Sequence, residues 1–90
     1  MKKAIVTVIG QDRVGIIAEV SVMLAGCGIN VLDISQTLLQ DTFTMVMLVD
    51  VAQITVPFAE VKRILSDLGE RMDMSVRIQR EDIFQAMHTV

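Results

Sequence analysis

Ninety residues limit how large a core one folding unit can bury, and a hydrophobic share of 52% is more than such a core takes up, so the composition predicts a subunit interface. Eight basic against eleven acidic side chains give a net charge of -3, and three phenylalanines are the only aromatics; both exclude binding to nucleic acid through phosphates or stacked bases. The longest clean apolar run, Met45 to Val49, is far below the ~20 residues of a membrane-spanning helix.

Lys2 and Lys3 before Ala4-Ile5-Val6 resemble the start of a signal peptide, but Gln11, Asp12 and Arg13 arrive with no small-residue cleavage site before them. The expectation is an unprocessed cytoplasmic chain. Cys27 has no second cysteine to pair with, which fits a reducing compartment, and between Gly26 and Gly28 it reads as a small, semi-buried packing residue.

Taken in order, Ala4 to Ile9 is a β-branched first strand. Gly10-Gln11-Asp12-Arg13-Val14-Gly15 then forms a polar turn between two glycines. The period changes after it: Ile16, Ile17, Val20, Met23 and Leu24 make a helical stripe that Gly26 and Gly28 stop. Asp12 would cap this helix if it began at Arg13. Asn30 to Leu39 reads as a second strand, with Leu32, Ile34 and Leu38 on one face and Asp33, Ser35 and Thr37 on the other. After the break at Gln40-Asp41, Thr42 to Val51 is a third strand with Phe43, Met45, Met47, Val49 and Val51 inward, which makes a hairpin with the second.

Pro57 opens a second helix whose buried stripe is Phe58, Val61, Ile64, Leu65 and Leu68, with Gly69 weakening its end. Met74 to Arg80 alternates as a half-exposed fourth strand. Ile83, Phe84, Met87 and Val90 at helical spacing predict a short terminal helix over 81–90. The order β-α-β-β-α-β implies an α+β, ferredoxin-like sandwich: a single domain with one antiparallel sheet, both main helices on one face, and the third strand between the first two.

The turn at Gly10–Gly15 is the candidate site, because a helix start after a tight glycine loop presents free amides to an anion. Its glycines have P-loop spacing, yet Ile16 and Ile17 stand where Lys and Ser/Thr are required, so the loop has no nucleotide signature. His88 has no Cys or acid in ligand spacing, and the seven methionines fall mostly on apolar stripes, which reads as packing rather than thioether ligation; no metal or cofactor is implied. An acylphosphatase-like enzyme of this topology would use Arg13 to clamp a phosphate and Asn30 to place water. Asp12 beside that phosphate would repel it.

The run Gly10-Gln11-Asp12-Arg13-Val14-Gly15-Ile16-Ile17, followed at Gly28-Ile29-Asn30-Val31 by the entry to the second strand, resembles an ACT domain, the small-molecule-sensing module of amino-acid metabolism. The resemblance covers about residues 3–80, and the whole chain is similar to small stand-alone prokaryotic ACT proteins. It implies a homodimer, often paired through edge strands and first helices, that holds an amino acid at its interface. Carried over by position, Asp12, Arg13, Val14 and Gly15 would approach the ligand, Ile16 would open the helix, and Asn30 would supply a side-chain amide. Several ligand-binding ACT sites have a neutral amide where Asp12 stands; a carboxylate there suits an α-ammonium group and disfavours a ligand carboxylate. The function implied is non-enzymatic and regulatory, through a bound amino acid; the alternative is a ligand-free module that docks a protein partner.

Overall fold

The computed structural model describes residues 2–11 and 14–81. Its elements are β1 (Lys3–Gln11), α1 (Ile16–Gly26), β2 (Asn30–Leu39), β3 (Thr42–Asp50), α2 (Phe58–Met72) and β4 (Met74–Arg80). The strands form one sheet in the order β2-β3-β1-β4, and every neighbouring pair is antiparallel. This is the ferredoxin-like α+β arrangement, with β3 between β1 and β2. The terminal helix expected over 81–90, and His88 with it, lie outside the described residues apart from Glu81.

The pleat sends alternate side chains to opposite faces, and that period builds the core. Ala4, Val6 and Val8 of β1, Phe43, Met45, Met47 and Val49 of β3, and Met74, Val76 and Ile78 of β4 are all buried. Ile16, Val20 and Leu24 of α1 and Val61, Leu65, Leu68 and Met72 of α2 close over them in one cluster. A fully buried side chain of this size stabilises the fold by roughly 1.5–3 kcal/mol. Met45, Met47, Met72 and Met74 belong to this cluster, so these thioethers fill space between the layers, as their spacing predicts. Cys27 is buried with them rather than semi-exposed.

Three local expectations are corrected. α1 starts at Ile16, not Arg13, and its N-cap is Gly15 with φ 85° and no side-chain cap. A left-handed residue cannot sit inside a right-handed helix, so Gly15 fixes the boundary and Asp12 is not the cap. In β2, Val31 pairs with Val49 and Asp33 with Leu48, which leaves Leu32 as the extra residue of a bulge. Leu32 therefore drops out of the row expected with Ile34 and Leu38. Beyond the bulge Ile34, Gln36 and Leu38 share the helix side with Met47, Met45 and Phe43, yet Ile34 and Leu38 remain 39% and 57% exposed because the helices do not reach this edge.

Gly69 is the third. It does not end α2, which runs on to Met72 and stops at Asp73 with φ 56°. Gly69 is buried, and a Cβ there would stand 2.6 Å from the Met74 carbonyl oxygen, so its missing side chain lets α2 lie against β4.

The turn after α1 is equally tight. Gly28 has φ 77° and a Cβ on it would stand 2.5 Å from the Gln53 carbonyl oxygen, while the Thr55 N–H donates to the Cys27 carbonyl at 2.9 Å. Gly26, two residues earlier, would meet nothing within 4 Å. Gly28→Ala should therefore cost about 2 kcal/mol or more through strain and overlap, and Gly26→Ala should be neutral or stabilise by about 0.5–1 kcal/mol. Urea unfolding midpoints of the two variants check the contrast.

Candidate ligand-binding site

β1 ends at Gln11, which pairs with Thr42; Thr42 in turn pairs with Leu39 at the end of β2. These three residues form a row across one end of the sheet. The connection to α1 leaves from this row, and α1 begins there. Its first turn is closed by the Glu19 N–H donating to the Gly15 carbonyl at 3.0 Å, so the amides of Ile16 and Ile17 have no acceptor within the helix and carry the positive end of its dipole. A Cβ on Gly15 would meet nothing within 4 Å. Among the described residues the helix start is open, and free amides of this kind can hold a carboxylate or other anion.

The sequence-predicted residues divide. Val14 is fully exposed at the mouth of the turn, whereas the Ile16 side chain is 3% exposed and sits in the core, so only its amide faces the open end. Asp12 and Arg13, between Gln11 and Val14, lie outside the described residues. Asn30 is exposed, but it pairs with Asp50, which also pairs with Lys3, at the far end of the sheet. Asn30 and Leu39 are separated by the length of β2, roughly 30 Å at 3.3 Å per residue. Within one protomer the loop and Asn30 are not brought together. The acylphosphatase-like pairing of Arg13 with Asn30 has no geometric basis in a single chain, because Gln11 and Val14, which flank the arginine, lie at the opposite end from Asn30.

Sequence reasoning passed over the strand that lies between these two places. β2 is an edge of the sheet, and Leu32, Ile34, Leu38 and Leu39 are exposed along it. The signal was available: Asn30–Leu39 contains no Lys, Arg or Pro, the residues with which proteins blunt an edge. The other edge, β4, carries Arg77 and Arg80.

The element order and the strand order define an α+β domain of ferredoxin-like type. The ACT domain sequence model matches residues 2–79, and the chain belongs to the ACT domain family, whose members are regulatory ligand-binding modules. It is 51% identical over 86 residues to a UPF0237 protein of Listeria innocua, covering 96% of this chain and 97% of that one. Among solved structures it resembles an ACT domain protein from Streptococcus pneumoniae, with a TM-score of 0.81, 37% identity, and coverage of 92% of this chain and 93% of that one. It also resembles a chain assigned as a glycine cleavage system transcriptional repressor, with a TM-score of 0.73 and 27% identity over 88% of this chain and 45% of that one.

Because open space surrounds the missing Cβ of Gly15, a substitution there tests backbone conformation alone. Gly15→Ala should lower stability by about 1–2 kcal/mol, the cost of a left-handed conformation for a residue with a Cβ, and Gly15→Asn should lose less. Chemical denaturation of the three proteins measures the difference.

Proposed function

We propose that this chain is a non-enzymatic regulatory module that binds an amino acid at a homodimer interface built on β2. The observation that carries the reading is the separation just described: the start of α1 with its free amides and Asn30 stand at opposite ends of one edge strand. Two copies of β2 that pair antiparallel about a two-fold axis bring the partner's Asn30 to the end of the sheet where α1 begins. Each site is then completed by the other copy. The exposed Ile34 and Leu38 are covered in the same step, and the unpaired backbone groups of the edge find partners.

In this arrangement the amides of Ile16 and Ile17 take the ligand carboxylate. Asp12 takes the α-ammonium group, and the partner's Asn30 contributes a donor and an acceptor. Val14, Arg13 and the chain entering α1 wall the pocket. Regulation follows from linkage: a ligand that touches both copies favours the paired state by its differential affinity for it, and a protein partner reads the change. The net charge of -3 and the lack of an aromatic platform support a small molecule or protein as the partner, and no described helix is long and apolar enough to cross a membrane.

A thermal-shift screen against the twenty amino acids tests the reading. A binder of the folded state at a hundred times its dissociation constant adds about 2.7 kcal/mol of stability, which for a chain of this length moves the melting temperature by roughly 10 °C or more. Asn30→Ala should abolish the shift with the fold intact, and Leu38→Lys should break the β2 pairing and abolish the response. A dimer that responds to no amino acid and is unchanged by Asn30→Ala would favour the ligand-free docking module. Turnover of an acyl phosphate that is lost in Arg13→Ala would replace both with the enzymatic reading.

A further inference from the structure

The two helices differ in what they show to the outside. α2 carries Glu60, Lys62, Arg63 and Asp67 away from the core, and Arg63 ties its neighbours together: it pairs with Glu60, whose carboxyl it holds below the ordinary range by hydrogen bonding, and with Asp67 at 2.9 Å. This is the solvated face that a surface helix is expected to have. α1, Ile-Ile-Ala-Glu-Val-Ser-Val-Met-Leu-Ala-Gly, has Glu19 and Ser21 as its only polar residues. At 100° per residue Ile16, Val20 and Leu24 point into the core and Ala18 and Val22 point directly away from it. Val22 is 72% exposed. A helix that is apolar on all sides is the pattern of a buried helix.

Between α1 and α2 runs a groove of about 680 Å³. Val22 and Met23 line it from α1, and Ile64, Leu68 and Met72 from α2; Glu19 stands on the first wall and Arg71 on the second. Neither of these two charges has an ion pair among the described residues. The groove is separate from the β2 edge, because the α1 residues turned toward α2 are Glu19, Met23 and Gly26, while those turned the other way are Ile17, Ser21 and Ala25.

We propose that this helix face is a second self-association surface, on which a second copy of the chain packs groove to groove. A two-fold interface requires a patch that complements itself. One acid on α1 and one base on α2 meet that requirement, since an axis that lays α1 of one copy over α2 of the other sets each Glu19 against the opposite Arg71 while the Val22 rows cover the apolar floors. The small residues Ala18 and Gly26 on the groove let the helices approach closely. Combined with pairing through β2, this stacking sets the β2 edge of one copy over the β4 edge of the other, so every β2 dimer keeps a groove free and association continues beyond the dimer in an open series.

Sedimentation velocity over a concentration series tests this on the full chain. The wild-type protein should show a concentration-dependent step beyond the dimer; Val22→Glu should remove it and leave the dimer, and Leu38→Lys should leave a dimer held by the helix face alone. Glu19→Arg and Arg71→Glu should each raise the dissociation constant of that step by about tenfold or more, and the double exchange should restore it to near the wild-type value. Glu19, Val22 and Arg71 are exposed, so circular dichroism of all variants should match the wild type. The amino-acid response belongs to the β2 site and should persist in Val22→Glu, which separates this proposal from the sensor reading. A wild-type protein without a step sensitive to Val22→Glu, or a double exchange no better than its single variants, overturns it.

Discussion

The arrangement of this molecule depends on the insertion of β3 between β1 and β2. Once β1 and β2 run parallel with an antiparallel strand between them, the turn that ends β1 and the residue that begins β2 are forced to opposite ends of the sheet. The hydrogen-bonded register fixes this to the residue, from Lys3 opposite Asp50 to Gln11 opposite Thr42, and Asn30 opposite Asp50 to Leu39 opposite Thr42. Side-chain packing reinforces it, because a slip by one residue would carry Val6, Val8, Met45 and Met47 from the core to the open face. The separation of the α1 start from Asn30 is therefore a property of the fold, and in the proposed arrangement a second chain bridges it.

Periodicity made most of the fold legible. Alternation identified β1, β3 and β4, the 3.6-residue stripe identified both helices, and the right-handed crossover rule placed β3 correctly. The misses share one physical cause: they depend on contacts that are distant in sequence. Gly69 is a helix breaker by local propensity, but its role is decided by the Met74 carbonyl oxygen that lies against it. Leu32 looks like a member of an apolar row, but the pairing with β3 makes it the bulge. Gly15 was read as a loop glycine that permits close approach; its positive φ also sets where α1 begins, a role that Asp12 fitted as well from composition alone.

For the candidate site the order is reversed. The residues that carry the resemblance, Gly10 to Ile17 and Asn30, could be picked out from the sequence, but their relation in space could not. A motif names positions without saying which chain supplies them. The edge of β2, whose one charge is Asp33, and the outer side of α1, whose one charge is Glu19, show in the sequence as a scarcity of charge, and a scarcity is harder to read than a period. Composition registered them only as an excess of hydrophobic residues over what one small core takes up.

The sheet order also bears on how the chain comes into being. β1 is made first, yet it lies in the interior of the sheet with β3 on one side and β4 on the other. Nothing it can pair with exists until β3 has been synthesised, and its second flank stays open until Arg80 has emerged. During that interval the apolar α1 has no sheet to rest on. Local hairpin formation between β2 and β3 can begin early, but the long-range pairings that close the core come last, which is the pattern of a slow, all-or-none folding step. The nascent chain thus exposes the sparsely charged α1 and the β2 edge, and it is in the crowded setting of synthesis, before the core closes, that this apolar surface is most hazardous.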